Sequence, residues 1–209
     1  MLSNQDVRGM AQNPEILPFF PLSVFLLPGE DIPLRIFEPR YRQLIEDTRS
    51  KGITFTIPFL IDQEIQKFGS EVKLQHVIAE NPGGRMVIMV QSVAVVQILS
   101  FNRLLKDKLY AGGLVSRLPC SDPVESKELK NLIQNYTDHF DKDFLSFCDD
   151  NHYTRQDVMK ALNLSSDDKY RFVCMSDGQQ KDGYLARQLR YLERIRTQED
   201  QLGNDFGLN

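Results

Sequence analysis

The sequence predicts an α+β protein: a small, mostly antiparallel, barrel-like β-sheet with one packed helix, followed by a C-terminal four-helix bundle. Three observations lead there. Short β-rich segments punctuated by Pro and Gly fill the first half of the chain. Beyond Leu118-Pro119-Cys120-Ser121-Asp122-Pro123 proline disappears and apolar residues recur at helical spacing. The 209 residues are 41% apolar and 26% charged, enough for one sizeable core or two modest ones. The change of pattern divides the chain into a β subdomain, 1–120, and a helical subdomain, 121–209.

In order along the chain, Glu15 to Val24 and Asp31 to Ile36 read as short strands. Their prolines, Pro18, Pro21 and Pro33, restrict them to edges, starts and bulges because proline donates nothing to a ladder. Leu27-Pro28-Gly29-Glu30 between them is a turn, with φ fixed at its second position and free to be positive at its third. A helix starts at Glu38, a candidate cap, with Pro39 at the first helical position, where a missing N–H costs nothing. Tyr41, Leu44, Ile45 and Thr48 then form one buried stripe, and Gly52 ends the helix. Ile53 to Ile61 is nearly continuous in apolar residues, as in a strand buried on both faces, despite Pro58. Val72 to Ala79 and Arg85 to Leu99 flank Asn81-Pro82-Gly83-Gly84 as an antiparallel hairpin, and a phase shift at Ser92-Val93 predicts a bulge. Leu109 to Leu118 is the last strand; Gly112-Gly113 mark a bend or a close backbone approach.

In the second half, Ser121-Asp122-Pro123 opens a helix running through Leu129, Leu132, Ile133, Tyr136 and Phe140. Thr154 to Leu162 and Ser165 to about Met175 are two short capped helices. The last helix runs from Asp182 to about Gln201, with Leu185, Leu189, Leu192 and Ile195 on one face.

A net charge of −4 lacks the positive field of a dedicated nucleic-acid binder. No uncharged apolar run approaches the ~20 residues that cross a bilayer, and the first residues lack a signal-peptide core, so no membrane partner and a cytoplasmic location are expected. Cys120, Cys148 and Cys174 fit neither a disulfide framework nor a metal knuckle. His76, His139 and His152 are dispersed; Asp149-Asp150 with His152 reads as a solvated loop rather than a metal site, because zinc takes three or four convergent ligands. No metal and no cofactor are expected.

Leu17-Pro18-Phe19-Phe20-Pro21-Leu22, Leu27-Pro28-Gly29 and Pro33-Leu34-Arg35-Ile36-Phe37-Glu38-Pro39-Arg40-Tyr41 stand in a fixed order. Together they resemble the N-terminal substrate-binding domain of the Lon ATP-dependent protease family. The likeness is specific through about Ile61, weaker through the hairpin, and recovers at Leu109-Tyr110-Ala111. It implies a PUA-like β-barrel followed by a helical bundle, and binding of exposed or unfolded polypeptide segments in proteolysis or quality control, with a separate AAA+ protease as partner. In the second hairpin arm, where that family carries a glycine and then an Arg-Phe pair, this chain has Ser92 and Val95-Val96.

No GxxxxGK[ST] string is present to cradle phosphates. The family's peptidase string places its serine three residues after the aspartate of Lys-Asp-Gly-Pro-Ser. Lys181-Asp182-Gly183-Tyr184-Leu185 begins like it but has Tyr184 and Leu185 in place of Pro and Ser, so Asp182 is read as a helix start and the chain as non-catalytic. A Cys148-His152 nucleophile pair has no orienting group or oxyanion hole assignable from the string.

The candidate peptide-gripping residues are Phe37, Glu38, Arg40 and Tyr41, whose guanidinium and aromatic faces suit an extended chain. Against that stands a structural reading in which Glu38 caps the helix, Tyr41 packs on the sheet and Arg40 bonds a carboxylate or a loop carbonyl, fixing helix to barrel. Arg187, Arg190 and Arg194 recur at three and four and form a candidate face for an anionic partner. The alternative to polypeptide binding is a PUA-like RNA-binding module using that face. Net charge and the absence of a lysine-rich strand surface weigh against it.

Overall fold

A computed structural model describes residues 13–119, 122–148 and 153–206, the last seven of these as backbone only. Chain contacts divide the protein into two compact units, Met1–Cys120 and Ser121–Asn209.

The first unit holds β1 (Glu15–Phe19), β2 (Asp31–Ile36), α1 (Pro39–Lys51), β3 (Phe55–Ile61), β4 (Glu64–Glu80), β5 (Met86–Ile98) and β6 (Ala111–Arg117). They form a six-stranded sheet in the order β2-β5-β4-β3-β1-β6, antiparallel except for β1 on β3. One edge of β5 is shared: its first half pairs β2 (Ile36↔Met86 to Asp31↔Gln91), and its end pairs β6 (Val96↔Arg117 to Ile98↔Val115). The sheet thus curls back on itself, but among the described residues β2 pairs only β5 and its other edge is free. This replaces the expected barrel with a coiled, open-ended sheet. Pro33, exposed in the middle of β2, lacks an N–H to offer at that edge.

Bulges let the long strands bend. Val93 is the extra residue between Glu71↔Ala94 and Val72↔Ser92, where the phase shift predicted it. Pro58 sits in buried β3 at another irregularity, between Pro58↔Gly69 and Leu60↔Ile65. At Gly113 an added Cβ would collide with the Ser100 carbonyl, so this glycine marks a close approach of backbone. The β4 strand begins at Glu64, eight residues before the expected Val72, after a tight turn at Asp62 (φ 50°) and Gln63 (φ 66°). Asp62 suits such a turn, but Gln63 stands where glycine normally follows.

Helix α1 follows its sequence signals closely. Pro39 opens it, Gly52 closes it at φ 65°, and Tyr41, Leu44, Ile45 and Thr48 are its buried residues. That stripe joins Phe20, Phe55 and Ile88 in the main core. A smaller apolar cluster gathers Leu17, Phe19, Val96 and Val115. Buried Glu71 is met by Arg117 Nε at 2.5 Å and Nη2 at 2.7 Å and by Thr54 Oγ1 at 2.7 Å, which compensates a carboxylate only 1% exposed.

The second unit holds α2 (Lys127–His139), α3 (Arg155–Ala161), α4 (Ser166–Cys174) and α5 (Gly178–Phe206). Seven and nine residues give α3 and α4 only two to two and a half turns. The unit therefore holds two longer helices and the two expected short ones, and their contacts, chiefly α2 on α5 and α3 on α5, do not amount to the expected four-helix bundle. Helix α2 starts at Ser126, whose Oγ accepts the Leu129 N–H, and not at Asp122-Pro123; Ser121 lies outside the described residues. Helix α5 starts four residues before the expected Asp182, with Asp177 accepting the N–H groups of Gln179 (3.3 Å) and Gln180 (3.2 Å). The α3 and α4 starts fall at the expected Thr154 and Ser165 caps. Among the described residues no helix is long and apolar enough to cross a membrane.

Candidate functional site

Alternation along β2 turns Leu34 and Ile36 into the core and leaves Arg35 and Phe37 outside. On β5, Met86, Ile88 and Val90 are buried, so Val87 and Met89 take the opposite face, and exposed Arg85 immediately precedes the strand. Register aligns Arg35, Val87 and Ala79 in one row across β2, β5 and β4. The outcome is a cleft of about 480 Å³ lined by these residues with Ile36, Phe37, Met86, Arg85, Glu80 and Asn81. Its floor is apolar and its rim carries charge. Phe37 is 63% exposed, a large apolar ring left in solvent immediately after the sheet's free-edged strand.

The four residues of the candidate gripping motif are not brought to one surface. Tyr41 is buried and stacks on Phe20, ring centroids 3.9 Å apart, so it is unavailable to a ligand. Burial pushes its hydroxyl pKa up, an effect that Arg40 offsets in part. Glu38 holds the cap position by its backbone, its carbonyl accepting the N–H groups of Tyr41 and Arg42 at 3.1 and 3.0 Å. Its carboxylate caps nothing and instead accepts from Arg40 Nε at 2.8 Å. The Arg40 guanidinium is held between Glu38 and the Tyr41 ring, 4.5 Å from the centroid, and does not tie the helix to the sheet. Arg42, Gln43 and Arg49 do that: Arg42 Nη1 donates to the Gly83 carbonyl (3.1 Å), Gln43 Oε1 accepts the Leu109 N–H (2.7 Å), and Arg49 pairs with Glu80 (3.4 Å). Only Phe37 of the motif faces the cleft.

Asp47 adds a further anchor, accepting from Lys51 (2.6 Å), Lys108 (2.7 Å) and Tyr110 (2.7 Å). Burial works to raise the Asp47 pKa, but the hydrogen bonds from Lys108, Lys51 and Tyr110 outweigh it and hold the carboxyl well below the usual carboxylate range. Its partner Tyr110 is pushed up by burial and by that carboxylate. These contacts tie α1 to the connection that precedes β6.

Sequence reasoning missed Arg35, Arg85, Val87 and Ala79. A signal was present: Arg85-Met86-Val87-Ile88-Met89 keeps apolar residues on both faces, whereas a strand with one solvated face alternates apolar with polar. A second exposed apolar group, Leu99, Phe101, Leu104 and Leu109, lies on the connection between β5 and β6, with Phe101 stacked on Phe19 at 6.0 Å.

In the helical unit Arg187, Arg190 and Arg194 are all exposed, but Arg190 is bonded to Glu128, which removes one of the three cations from the anticipated anion face. The Lys181-Asp182-Gly183 string is structural. Lys181 Nζ bonds Asp122 at 2.7 Å, and Asp182, 4% exposed, accepts from Arg155 Nε at 2.7 Å and from the Ser126 N–H at 2.7 Å. Cys148 is half-buried and Cys174 exposed, neither in a disulfide; Cys120, Asp149, Asp150 and His152 lie outside the described residues. Among the described residues no three His, Cys, Asp or Glu side chains converge as a metal would need.

Comparison with known proteins returns one family. No curated protein matches. A Lon N-terminal domain protein from Xanthomonas campestris is similar in fold, with a TM-score of 0.59 and 23% identity over 86% of this chain and 98% of that one. The N-terminal domain of the Mycobacterium avium complex Lon protease gives a TM-score of 0.60 and 15% identity, covering 84% of this chain and 98% of that one. The model of the ATP-dependent protease La (LON) substrate-binding domain matches residues 16–198, most of both units, and the chain belongs to that family.

Proposed function

We propose that this protein is a non-catalytic polypeptide-binding module that holds exposed or unfolded segments of other proteins. In this reading its β unit is PUA-like, 1–120 and 121–209 are its two subdomains, and it serves proteolysis or quality control in the cytoplasm beside a separate AAA+ protease. The observation that carries the reading is the cleft beside Phe37: an apolar floor on the outward face of three strands, rimmed by charge, at the sheet's free-edged strand. An extended segment would place apolar side chains on Val87 and Ala79 and against the Phe37 ring. Its backbone would run near β2, where Pro33 limits strand addition, so side-chain pockets and not a continuous ladder supply the affinity. Family membership supports the same conclusion, as does the structural use of Lys181 and Asp182.

The test is fluorescence anisotropy of a labelled, permanently unfolded polypeptide titrated with the full chain in the absence of ATP. Wild type should bind in the micromolar range, and Phe37→Ala should bind about tenfold more weakly or worse. A phenylalanine presents roughly 200 Å², and Phe37 leaves 63% of itself exposed for a ligand to cover. Because the ring is in solvent, stability should barely change. Absence of binding, or equal binding by Phe37→Ala, would overturn the reading, and cleavage of the probe by the pure protein would overturn its non-catalytic part.

A further inference from the structure

We infer that the Phe37 cleft selects apolar polypeptide segments that carry an acidic residue, and that Arg35 and Arg85 receive its carboxylate. The inference rests on the polypeptide-binding reading above and adds to it the substrate's chemistry.

The cleft holds three charged side chains, Arg35, Arg85 and Glu80. Glu80 is engaged by Arg49 from α1, at 3.4 Å. Arg35 and Arg85 are exposed, and neither guanidinium makes an ion pair or hydrogen bond within the described residues, although the Arg85 backbone N–H donates to Asn81 Oδ1 at 3.0 Å. Arg40, Arg42, Arg49 and Arg117 are committed, to Glu38, the Gly83 carbonyl, Glu80, and Glu71 with Glu15 respectively, and exposed Arg103 lies away from the cleft on the connection between β5 and β6. Two uncommitted guanidiniums therefore flank an apolar floor. The nearest carboxylate on the outward side of β2 is Asp31, four residues from Arg35, roughly 13 Å along an extended strand. It accepts from Gln75 at 3.2 Å. At physiological ionic strength that separation exceeds the Debye length of about 8 Å, so Asp31 does little to neutralise Arg35. On a chain whose net charge is −4, the cleft is a local positive exception.

The arrangement suits a mixed ligand. Val87 and Ala79 offer apolar contact beside the two cations, and a guanidinium can take a carboxylate through two parallel N–H donors. A purely apolar segment would leave both arginines without an ionic partner, and a basic segment would meet repulsion. Acidic apolar segments match both properties.

The test uses short fluorescein-labelled peptides sharing one apolar core and flanked by Asp, by Asn or by Lys, titrated with the full chain at low and high salt. The variants are wild type and the doubly substituted R35E/R85E, whose exposed positions leave the fold intact, as circular dichroism will verify. Wild type should bind the Asp-flanked peptide about fivefold more tightly than the Asn-flanked one, the range of one or two partly exposed ion pairs, and the Lys-flanked peptide most weakly. The order should invert in R35E/R85E, and the gap should narrow with added salt. If all three peptides bind wild type alike, or if the order persists in R35E/R85E, the charge selection is wrong while polypeptide binding stands. If no peptide binds, both fall. Self-association that R35E/R85E abolishes would assign the cleft to a second copy, and an RNA oligonucleotide that displaces the peptide would assign it to nucleic acid; either overturns the inference.

Discussion

Asp182→Ala should cost the helical unit about 4 kcal/mol. Asp182 Oδ1 accepts from Arg155 Nε at 2.7 Å, and Oδ2 accepts the backbone N–H groups of Ser126 at 2.7 Å and Glu125 at 3.2 Å. Both Arg155 and Asp182 are 4% exposed. Removing one partner of a buried pair costs about 3–5 kcal/mol because the other charge is left uncompensated, and each lost backbone bond adds about 1 kcal/mol that partly overlaps with this. Arg155 has little to fall back on. Its Nη2 is buried without a hydrogen bond, and Glu125 approaches only to 3.7 Å from a side chain that is 74% exposed. The assay is urea unfolding followed by helical circular dichroism, with Arg155→Met and the double substitution R155M/D182A completing a cycle. The double variant should be more stable than the sum of the two losses predicts, since no orphaned charge remains. A loss below about 1 kcal/mol in Asp182→Ala, or additive losses in the cycle, would refute the ion pair as the reason this aspartate is there. So would a variant that keeps its stability and loses polypeptide binding.

Other outcomes follow from the same geometry. Gly113→Ala should destabilise the β unit by about 3 kcal/mol or prevent its folding, because the new Cβ meets the Ser100 carbonyl and, at 2.9 Å, the Phe19 ring. Gly52→Ala has open space around it and φ of 65°, so only the left-handed backbone is penalised, by about 1–2 kcal/mol; denaturant midpoints compare the two. Because the Asp47 pKa is lowered in the folded protein, its contribution is present above the ordinary carboxylate value near 3.8 and is lost as pH falls further. Acid unfolding of Asp47→Asn should therefore be flatter below about pH 4 than that of wild type. Thr154→Ala removes half of a reciprocal cap, in which Thr154 Oγ1 accepts the Asp157 N–H and Asp157 accepts the Thr154 N–H at 2.9 Å. It should cost about 1 kcal/mol, read as a shift in the urea midpoint of the helical signal.

Helix α1 was legible because everything that defines it is local: Pro39 at its start, Gly52 at its end and a stripe of four residues between. The bulge at Val93 was legible for a similar reason, as a break in alternation. The start of β4 was hidden because its turn places Gln63, in the position glycine usually takes, at positive φ, held there by the pairing of β3 with β4 and not by intrinsic preference. The start of α2 was misplaced because Asp122 and Pro123 look like an opening, yet Pro123 instead pairs with Thr154 and the Asp182 carboxylate collects the N–H groups at Ser126. Both contacts come from distant sequence. At the site, Phe37 was identified from its motif, but Tyr41 belongs to the helix stripe and Arg40 to Glu38. Arg35 and Arg85 are fifty positions apart in sequence, and only the register of β2 on β5 brings them to one cleft.

The shared edge of β5 has a consequence for synthesis on the ribosome. Strand β2 waits for residues 86–91 before it can pair, and β1 pairs β6 between Glu15↔Val115 and Phe19↔Ala111, across nearly the whole unit. An emerging N-terminal half thus carries Phe19, Phe20 and Leu34 with no complete sheet to bury them until Arg117 has left the exit tunnel. Such long-range pairing folds slowly and leaves sticky intermediates. Nascent chains of this protein should therefore need the same shelter from aggregation that its mature form is proposed to offer others.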